Sequence, residues 1–214
     1  MAVLHKGANY HLPSPSTNPD LQGYTHLLLQ NEIPLDDTIA HLRAAAQAGL
    51  TTLFNPSPML TVDELRVFPW SSVSWLIVNE GEIQDLLQAF GISSSSSSGS
   101  GGGESQVVDD IKALATSKMF DGKVRIVCTL GAQGLMYATN TQASEVLKKS
   151  AGKLVNPVKD TTGAGDCFLG YLTAGLMRGE SVEHALDTCL AVRPCPCSGI
   201  LSLLWSSNST KERG

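Results

Sequence analysis

The sequence predicts an α/β fold in which helices cover both faces of a mostly parallel sheet. Short apolar runs alternate with longer segments of helical periodicity, and glycine or proline marks many of the boundaries between them. With 214 residues, 42% of them hydrophobic, the chain is long enough for one well-buried domain or at most two small ones. The carboxyl ends of parallel strands form the ligand crevice in such folds, so functional residues are expected there.

The elements follow in an order typical of this class. In the first predicted helix Ile39, Leu42 and Ala46 share one face and Gly49 ends the helix. The predicted strands are 25–30, 51–56, 73–79, 123–131 and 134–139, and the predicted helices are 34–49, 81–91, 107–119, 166–179 and 182–192.

One segment has no packing pattern. Residues 93–105 read SSSSSSGSGGGES, which is too polar and too rich in glycine to pack, so we predict a flexible surface insertion. The insertion interrupts a single domain that we expect to span residues 1–192, with residues 193–214 as a divergent tail.

The charge of the chain disfavours two classes of partner, and its cysteine content indicates a reducing compartment. The formal charge is −5 and no run of lysine or arginine occurs, which disfavours nucleic acids and anionic membranes as partners. No stretch predicts a membrane span or a signal peptide. The five cysteines are odd in number and lack a disulfide-framework spacing, so we predict reduced thiols in a cytoplasmic protein, a nuclear presence being compatible with this. They are Cys128, Cys167, Cys189, Cys195 and Cys197.

The stretch VKDTTGAGDCFLGYL at 158–172 contains the candidate anion-binding and catalytic residues. Gly163, Ala164 and Gly165 open an apolar helix, and small residues let its first-turn N–H groups approach an anion closely. A carboxylate at Asp166 would repel a resting phosphate, but it could take the proton from a hydroxyl that attacks phosphorus. On the motif alone, an aspartate that caps a helix after a glycine turn is an equal alternative.

DTTGAGDCFLG resembles the signature of the ribokinase-like (PfkB) carbohydrate kinase family. Further similar stretches follow in the family's order: GAN, LLLQNEIP, NPSP, NEGE and TLGAQG. The resemblance implies a three-layer sandwich and ATP-dependent phosphorylation of a sugar hydroxyl, with the 5-hydroxyl of D-ribose as the favoured acceptor. It also implies Mg²⁺ and K⁺ as cofactors and a small-molecule sugar as the binding partner.

The resemblance assigns roles to residues of the signature. Asp166 matches the catalytic base that also binds the sugar hydroxyl, and the amides of Gly163, Ala164 and Gly165 match the anion hole. Asp160 and the Thr162 carbonyl match part of a potassium site, where a cation would add positive potential to the anion hole.

The other similar stretches supply the remaining assignments. Asn79 and Glu82 match a pair that organises Mg²⁺ and phosphate, which suits a metal that prefers oxygen ligands and keeps its waters. From the residues alone, a helix-capping box is the favoured reading of that pair. The turn that lines the nucleotide corresponds to Thr129, Gly131 and Gly134. Glu32 matches a residue that contacts the sugar.

The departures from the family lead to a further expectation. The N-terminal portion with the sugar-binding loop and the β lid is expected to be missing, and the resemblance stops near Val192. The chain as written is therefore expected to be a poor kinase. Two alternatives stay open: a non-catalytic fragment that at most binds nucleotide, and a sister kinase for fructose, adenosine or another nucleoside. A homodimer is expected where a full-length form carries the lid.

Overall fold

The computed structural model describes residues 19–93, 103–120, 122–138, 145–152 and 163–191. Within these ranges the strands are β1 (His26–Gln30), β2 (Thr51–Asn55), β3 (Trp75–Asn79), β4 (Arg125–Thr129), β5 (Leu135–Ala138) and β6 (Leu147–Lys149). The α-helices are α1 (Leu35–Gln47), α2 (Val62–Val67), α3 (Glu80–Phe90), α4 (Glu104–Ala115), α5 (Ala164–Met177) and α6 (Val182–Ala191). Short 3₁₀ helices cover Trp70–Ser72 and Gly131–Gln133.

The strands form one sheet in the order β1-β2-β3-β4-β5-β6. The pairs from β1 to β4 are parallel, which confirms the predicted α/β class with a mostly parallel sheet. The register aligns the last residues of neighbouring strands, so that Gln30 lies opposite Asn55 and Asn79 lies opposite Thr129. Polar side chains therefore gather at the carboxyl edge, where parallel sheets bind their ligands.

The described residues divide into two compact units. The first unit comprises the described residues up to Thr129 together with 136–147. Its core contains a cluster of aromatic rings with neighbouring centroids 4.7 to 6.2 Å apart, which are Phe54, Phe68, Trp70, Phe90 and Phe120. Trp70 is 2% exposed, and its indole N–H donates to the Leu65 carbonyl at 2.8 Å. The cluster thus buries a large apolar area without leaving the indole donor unpaired.

The second unit comprises 130–135 and the described residues from Lys148 onward, and α5 and α6 pack against each other in it. The contact is closest at Gly175, where a Cβ atom would lie 2.7 Å from the Ala185 Cβ. Phe168 and Leu172 are buried on α5, as the predicted apolar face requires. The thiol of Cys189 on α6 lies 3.6 Å from the Phe168 carbonyl oxygen.

Several elements differ from the prediction. The buried face of α1 is Thr38, Leu42 and Ala45, while Ile39 and Ala46 are only half-buried. The prediction followed apolar residues alone, whereas the Thr38 hydroxyl is satisfied by the Pro34 carbonyl at 3.4 Å and can therefore be buried. Helix α4 begins at Glu104 and ends at Ala115, three and four residues earlier than predicted.

One α-helix and one strand were not predicted at all. Helix α2 follows Thr61, whose hydroxyl accepts from the Glu64 N–H while the Glu64 carboxylate accepts from the Thr61 N–H. Strand β6 has only three residues, too few for a periodic signal. The predicted insertion lies mostly, and the predicted tail wholly, outside the described residues. No helix in the described part of the chain combines the length and the hydropathy needed to cross a membrane.

Candidate active site

The beginning of α5 is a helix N-terminus built from small residues. Gly163 occupies the cap position with φ 74° and ψ 4°, a left-handed conformation that costs any residue with a Cβ about 1–2 kcal/mol. The first helical hydrogen bond runs from the Cys167 N–H to the Gly163 carbonyl at 3.0 Å. The N–H groups of Ala164 and Gly165 therefore have no acceptor within the helix, and they point toward the space in front of it.

Asp166 lies in the first turn of α5 and is exposed. Its Oδ2 atom is 3.9 Å from the place that a Cβ on Gly163 would take, so the carboxylate lies over the start of the helix. Gly165 lies within the helix, and the left-handed residue of the motif is Gly163. The helix start thus presents backbone donors and one carboxylate side by side. The predicted potassium ligands Asp160 and Thr162 lie outside the described residues.

Asn79 and Glu82 meet at the junction of β3 and α3. The Asn79 side chain accepts from the Glu82 N–H at 2.9 Å, and the Glu82 Oε2 atom accepts from the Asn79 N–H at 2.9 Å. This is the capping box that the residues alone favoured. The cap fixes both side chains at the carboxyl end of β3.

The Glu82 carboxylate is in a mixed environment. Burial raises its pKa, the Asn79 N–H lowers it, the nearby Asp85 charge raises it, and a hydrogen bond from the Asn55 side chain lowers it. The net pKa is raised above the ordinary value, because desolvation outweighs the two donors. Sequence reasoning did not select Asn55, although an asparagine directly before Pro56 at a strand end was a visible signal.

The donor set agrees with an indirect role toward magnesium. Carboxylate and amide oxygens are suitable ligands, and Mg²⁺ commonly keeps several waters. Among the described residues, no group of three or more histidine, cysteine, aspartate or glutamate side chains is placed to hold a metal ion directly. The amide and carboxylate oxygens of Asn79 and Glu82 are of a chemical type that suits a magnesium ion that keeps its waters.

The turn after β4 holds the predicted nucleotide-lining residues. The Thr129 hydroxyl donates to the Val78 carbonyl at 3.4 Å, and Thr129 also lies opposite Asn79 in the sheet. Gly131 and Gly134 lie at the two ends of a single tight turn. A hydrogen bond from the Leu130 N–H to the Gly134 carbonyl at 2.8 Å closes this turn. A Cβ on Gly134 would overlap the Lys149 carbonyl oxygen, so this turn lies directly against a neighbouring backbone.

Glu32 follows β1 and is half-buried. Its neighbour Asn31 is 5% exposed and holds the loop in place, since its N–H donates to the Ser57 carbonyl at 3.0 Å and its side chain to the Pro58 carbonyl at 2.7 Å. These two hydrogen bonds connect the loop after β1 to the loop after β2. Glu32 is thus set on a restrained loop at the same edge of the sheet as Asn55.

The chain belongs to the pfkB family of carbohydrate kinases, whose sequence pattern matches residues 14–192. Its fold is similar to that of a crystallised ribokinase from Cryptococcus neoformans var. grubii serotype A in complex with ADP. That likeness has a TM-score of 0.82 and 48% identity, and it covers 94% of this chain and 64% of the other.

Curated relatives give a similar result at lower identity. A ribokinase from Schizosaccharomyces pombe is 28% identical over 186 residues, which are 83% of this chain and 52% of the relative. An adenosine kinase from Saccharomyces cerevisiae is 29% identical over 126 residues, which are 57% of this chain and 32% of the relative. The chain thus spans about half the length of the ribokinase and a smaller part of the adenosine kinase.

Proposed function

We propose that this protein is an ATP-dependent kinase that transfers the γ-phosphate to a sugar hydroxyl, with D-ribose as the acceptor and D-ribose 5-phosphate as the product. The observation that carries the proposal is the 48% identity, over 94% of the chain, to a ribokinase crystallised with ADP. The arrangement at the start of α5 supports it, because backbone donors and a carboxylate lie together there as phosphoryl transfer requires.

In the proposed reaction the sugar oxygen attacks the γ-phosphorus while the bond to the bridging oxygen of ADP breaks. Asp166 takes the proton from the attacking hydroxyl, and the amides of Gly163, Ala164 and Gly165 donate to the oxygens of the transferred group. Asn79 and Glu82 would hold magnesium through water, and that ion would neutralise charge on the phosphates. Glu32 contacts the sugar, and Thr129, Gly131 and Gly134 line the nucleotide.

The proposal also covers residues outside the described ranges. Asp160 and the Thr162 carbonyl would hold potassium, which would add positive potential to the anion hole. Residues 1–192 form the kinase domain, with residues 93–105 as an insertion and 193–214 as a divergent tail.

The acceptor is tested by sugar-dependent ADP release in a coupled assay. The panel contains D-ribose, 2-deoxy-D-ribose, D-fructose and adenosine, each with and without potassium, and mass spectrometry identifies the product. D-Ribose is expected to give the highest kcat/KM. A preference for adenosine would make the protein a nucleoside kinase, as the similarity to the yeast adenosine kinase allows. Calorimetric binding of ADP without any acceptor-dependent turnover would favour the non-catalytic alternative.

The role of Asp166 is tested by Asp166→Asn. Loss of the base is expected to lower kcat by ~10²–10⁴-fold while the affinity for ATP changes little. The matched control is Asp109→Asn, since Asp109 is exposed on α4 in the first unit and is assigned no role. An Asp166→Asn protein that turns over at the rate of the control would remove Asp166 from the mechanism.

A further inference from the structure

A cleft of about 160 Å³ lies between α3 and α4 in the first unit. A cavity needs only about 10–15 Å³ to hold one water, so this cleft has room for an organic molecule of several non-hydrogen atoms. None of its lining residues has a role in the proposed phosphoryl transfer. They come from the two helices alone and are Glu80, Ile83, Gln84, Gln106, Val107 and Asp110.

The carboxylate of Asp110 is the buried charged group of the cleft. Asp110 is 1% exposed, although it lies on a helix that has an exposed face. Its Oδ2 atom accepts from the Gln84 side-chain amide of α3 at 2.5 Å, and its Oδ1 atom accepts from the Gln106 side-chain amide of α4 at 2.8 Å. The two glutamines therefore hold the carboxylate from both sides of the cleft and fix its orientation.

The two glutamine amides are neutral, so they do not balance the charge of Asp110. No lysine or arginine in the described part of the chain forms an ion pair with Asp110 or with Glu80. Buried carboxylates are usually paired with a cation, because an unpaired charge is costly to remove from water. Each carboxylate oxygen has two lone pairs, so both oxygens of Asp110 can accept a further hydrogen bond.

The rest of the lining suits a cation that also has an apolar part. Glu80 adds a second carboxylate, which is exposed at the start of α3. Ile83 and Val107 add apolar side chains from the two helices. An alkyl chain can lie against such side chains while a positive group at its end donates to a carboxylate. An inorganic ion would use only the polar part of the cleft.

We propose that the cleft between α3 and α4 binds a small organic cation, namely an alkyl chain that ends in an ammonium or a guanidinium group. The positive group donates to the Asp110 carboxylate and supplies the counter-charge that the described residues do not provide. The alkyl chain contacts Ile83 and Val107, and the Glu80 carboxylate adds to the attraction. The proposal does not depend on the proposed kinase function.

The test is calorimetric titration of the full chain with n-butylammonium chloride at about pH 7, where the amine is protonated. Butan-1-ol, which has the same alkyl chain and no charge, is the matched ligand. Butylammonium is expected to bind saturably at one site, whereas butan-1-ol is expected not to bind at the same concentrations. Equal binding of the two compounds, or binding of neither, would overturn the proposal.

The site is located with Asp110→Asn, which removes the charge and keeps the shape of the side chain. The affinity for butylammonium is expected to fall about tenfold or more, because a hydrogen bond to a charged group is lost. The matched control is Asp109→Asn, which makes the same change of charge at an exposed position of α4 outside the cleft and should bind butylammonium like the wild type.

A thermal midpoint measured for each variant separates binding from folding. If Asp110→Asn lowers the midpoint but binds butylammonium like the wild type, the role of Asp110 is structural and the proposal is overturned. Should Asp110→Asn fail to fold, Glu80→Gln is titrated instead, since Glu80 is exposed and can be changed without disturbing the core. Reduced affinity in Glu80→Gln would support the cation site, and unchanged affinity would overturn it.

A second ligand distinguishes two sources of the cation. Nα-acetyl-lysine amide carries the same ammonium group on a peptide unit, as a lysine of a partner protein would. If it binds more tightly than butylammonium, the cation is a side chain of a partner. If it binds more weakly, the cation is a free amine. Both results support the chemistry proposed for the cleft, provided that Asp110→Asn weakens the binding of the preferred ligand.

Discussion

Burial raises the pKa of the Cys128 and Cys189 thiols to about 12. Cys128 lies on β4 beside Thr129, and the nearby charges of Glu80 and Glu82 raise its pKa further. The thiolate is the reactive form of cysteine, and at neutral pH these two groups contain almost none of it. Both cysteines therefore act as small apolar residues of the core in the folded protein.

A prediction about chemical reactivity concerns these two thiols. Iodoacetamide at about pH 8 is expected to leave Cys128 and Cys189 unmodified in the native protein and to modify both in urea, because unfolding returns the thiol pKa to its ordinary value near 9. Peptide mass spectrometry reads each site separately. Labelling of either thiol in the folded protein at the rate seen in urea would contradict the burial described here.

The same shifts give stability a pH dependence with a definite sign. The folded pKa values are raised, so above about pH 9 the unfolded state loses thiol protons that the folded state keeps. The free energy of unfolding is therefore expected to fall as pH rises from about 9 toward 12. The double variant Cys128→Ala/Cys189→Ala should show a shallower slope in that window, whatever its stability at pH 7. An unchanged slope would argue against the shifts.

Glu82, which we propose as a binding residue, lowers the stability of the fold when it is ionised. Its folded pKa is raised, so the free energy of unfolding is highest below the ordinary pKa of glutamate and falls as pH rises from there through the raised pKa. The hydrogen bonds from Asn79 and Asn55 offset part of this cost. A half-buried carboxylate that raises the energy of the fold is more readily explained by binding than by packing.

At the level of elements, the contact between α5 and α6 depends on Gly175. The Ala185 Cβ would lie 2.7 Å from a Cβ at this position and the Glu180 Oε2 atom 3.0 Å from it, so the two helices can approach this closely only because the side chain is absent. Gly170 lies in the same helix but is exposed, and a Cβ there would meet nothing within 4 Å.

Substitution by alanine is expected to change the free energy of unfolding in opposite directions at these two glycines. Gly175→Ala is expected to destabilise the protein by about 1–3 kcal/mol through overpacking. Gly170→Ala is expected to stabilise it by roughly 0.5–1 kcal/mol, because alanine loses less entropy in a helix. Urea denaturation measures both changes. Equal effects of the two substitutions would show that α5 and α6 are not packed as described.

The elements also show what the sequence could predict. The strands from β1 to β5 and the longer helices were predicted because each has enough residues to show a period or an apolar run. Helix α2 is only six residues long and was missed, although Thr61 and Glu64 form a capping box that could have marked its start. The predicted buried face of α1 differs from the observed one because Thr38 is buried and its hydroxyl donates to the Pro34 carbonyl. Hydrophobicity alone does not reveal such a residue.

The candidate site was predictable to a similar degree. The signature around Asp166 and the pair Asn79 and Glu82 were readable as short motifs. Asn55 is visible in the sequence within NPSP, but its side-chain contacts with Gln30 and Ile77 are not, because these residues lie 25 and 22 positions away in the chain. Such contacts arise only from the register of parallel strands, and a single sequence does not encode that register locally.

At the level of the whole molecule, nucleotide binding is expected to stabilise the fold. A ligand that binds only the folded state adds about 2.7 kcal/mol at a concentration 100 times its Kd. Magnesium-ADP should therefore raise the thermal midpoint of the wild-type protein. Gly163→Val should lose most of this shift, because its side chain stands at the entrance to the α5 amides and strains the left-handed cap.

The control for this prediction is Gly179→Val at the other end of the same helix. Gly179 also has a positive φ, 72°, and a Cβ there meets nothing within 4 Å, so the substitution introduces similar strain away from the amides. Its midpoint without ligand should fall by a similar amount, but its ADP-induced shift should be kept. Loss of the shift in both variants would point to global unfolding rather than to an anion site at α5.

The turn at Gly134 restricts the substitutions that this position can undergo during evolution. Its φ of 102° is rarely adopted by other residues, and a Cβ atom there would overlap the Lys149 carbonyl oxygen and lie 2.5 Å from the Ala151 nitrogen. Every single-nucleotide change of a glycine codon that alters the residue adds at least that Cβ or ends the chain. A library of all twenty amino acids at this codon should therefore return glycine alone among folded variants, so natural variation of this turn requires compensating changes in the neighbouring backbone.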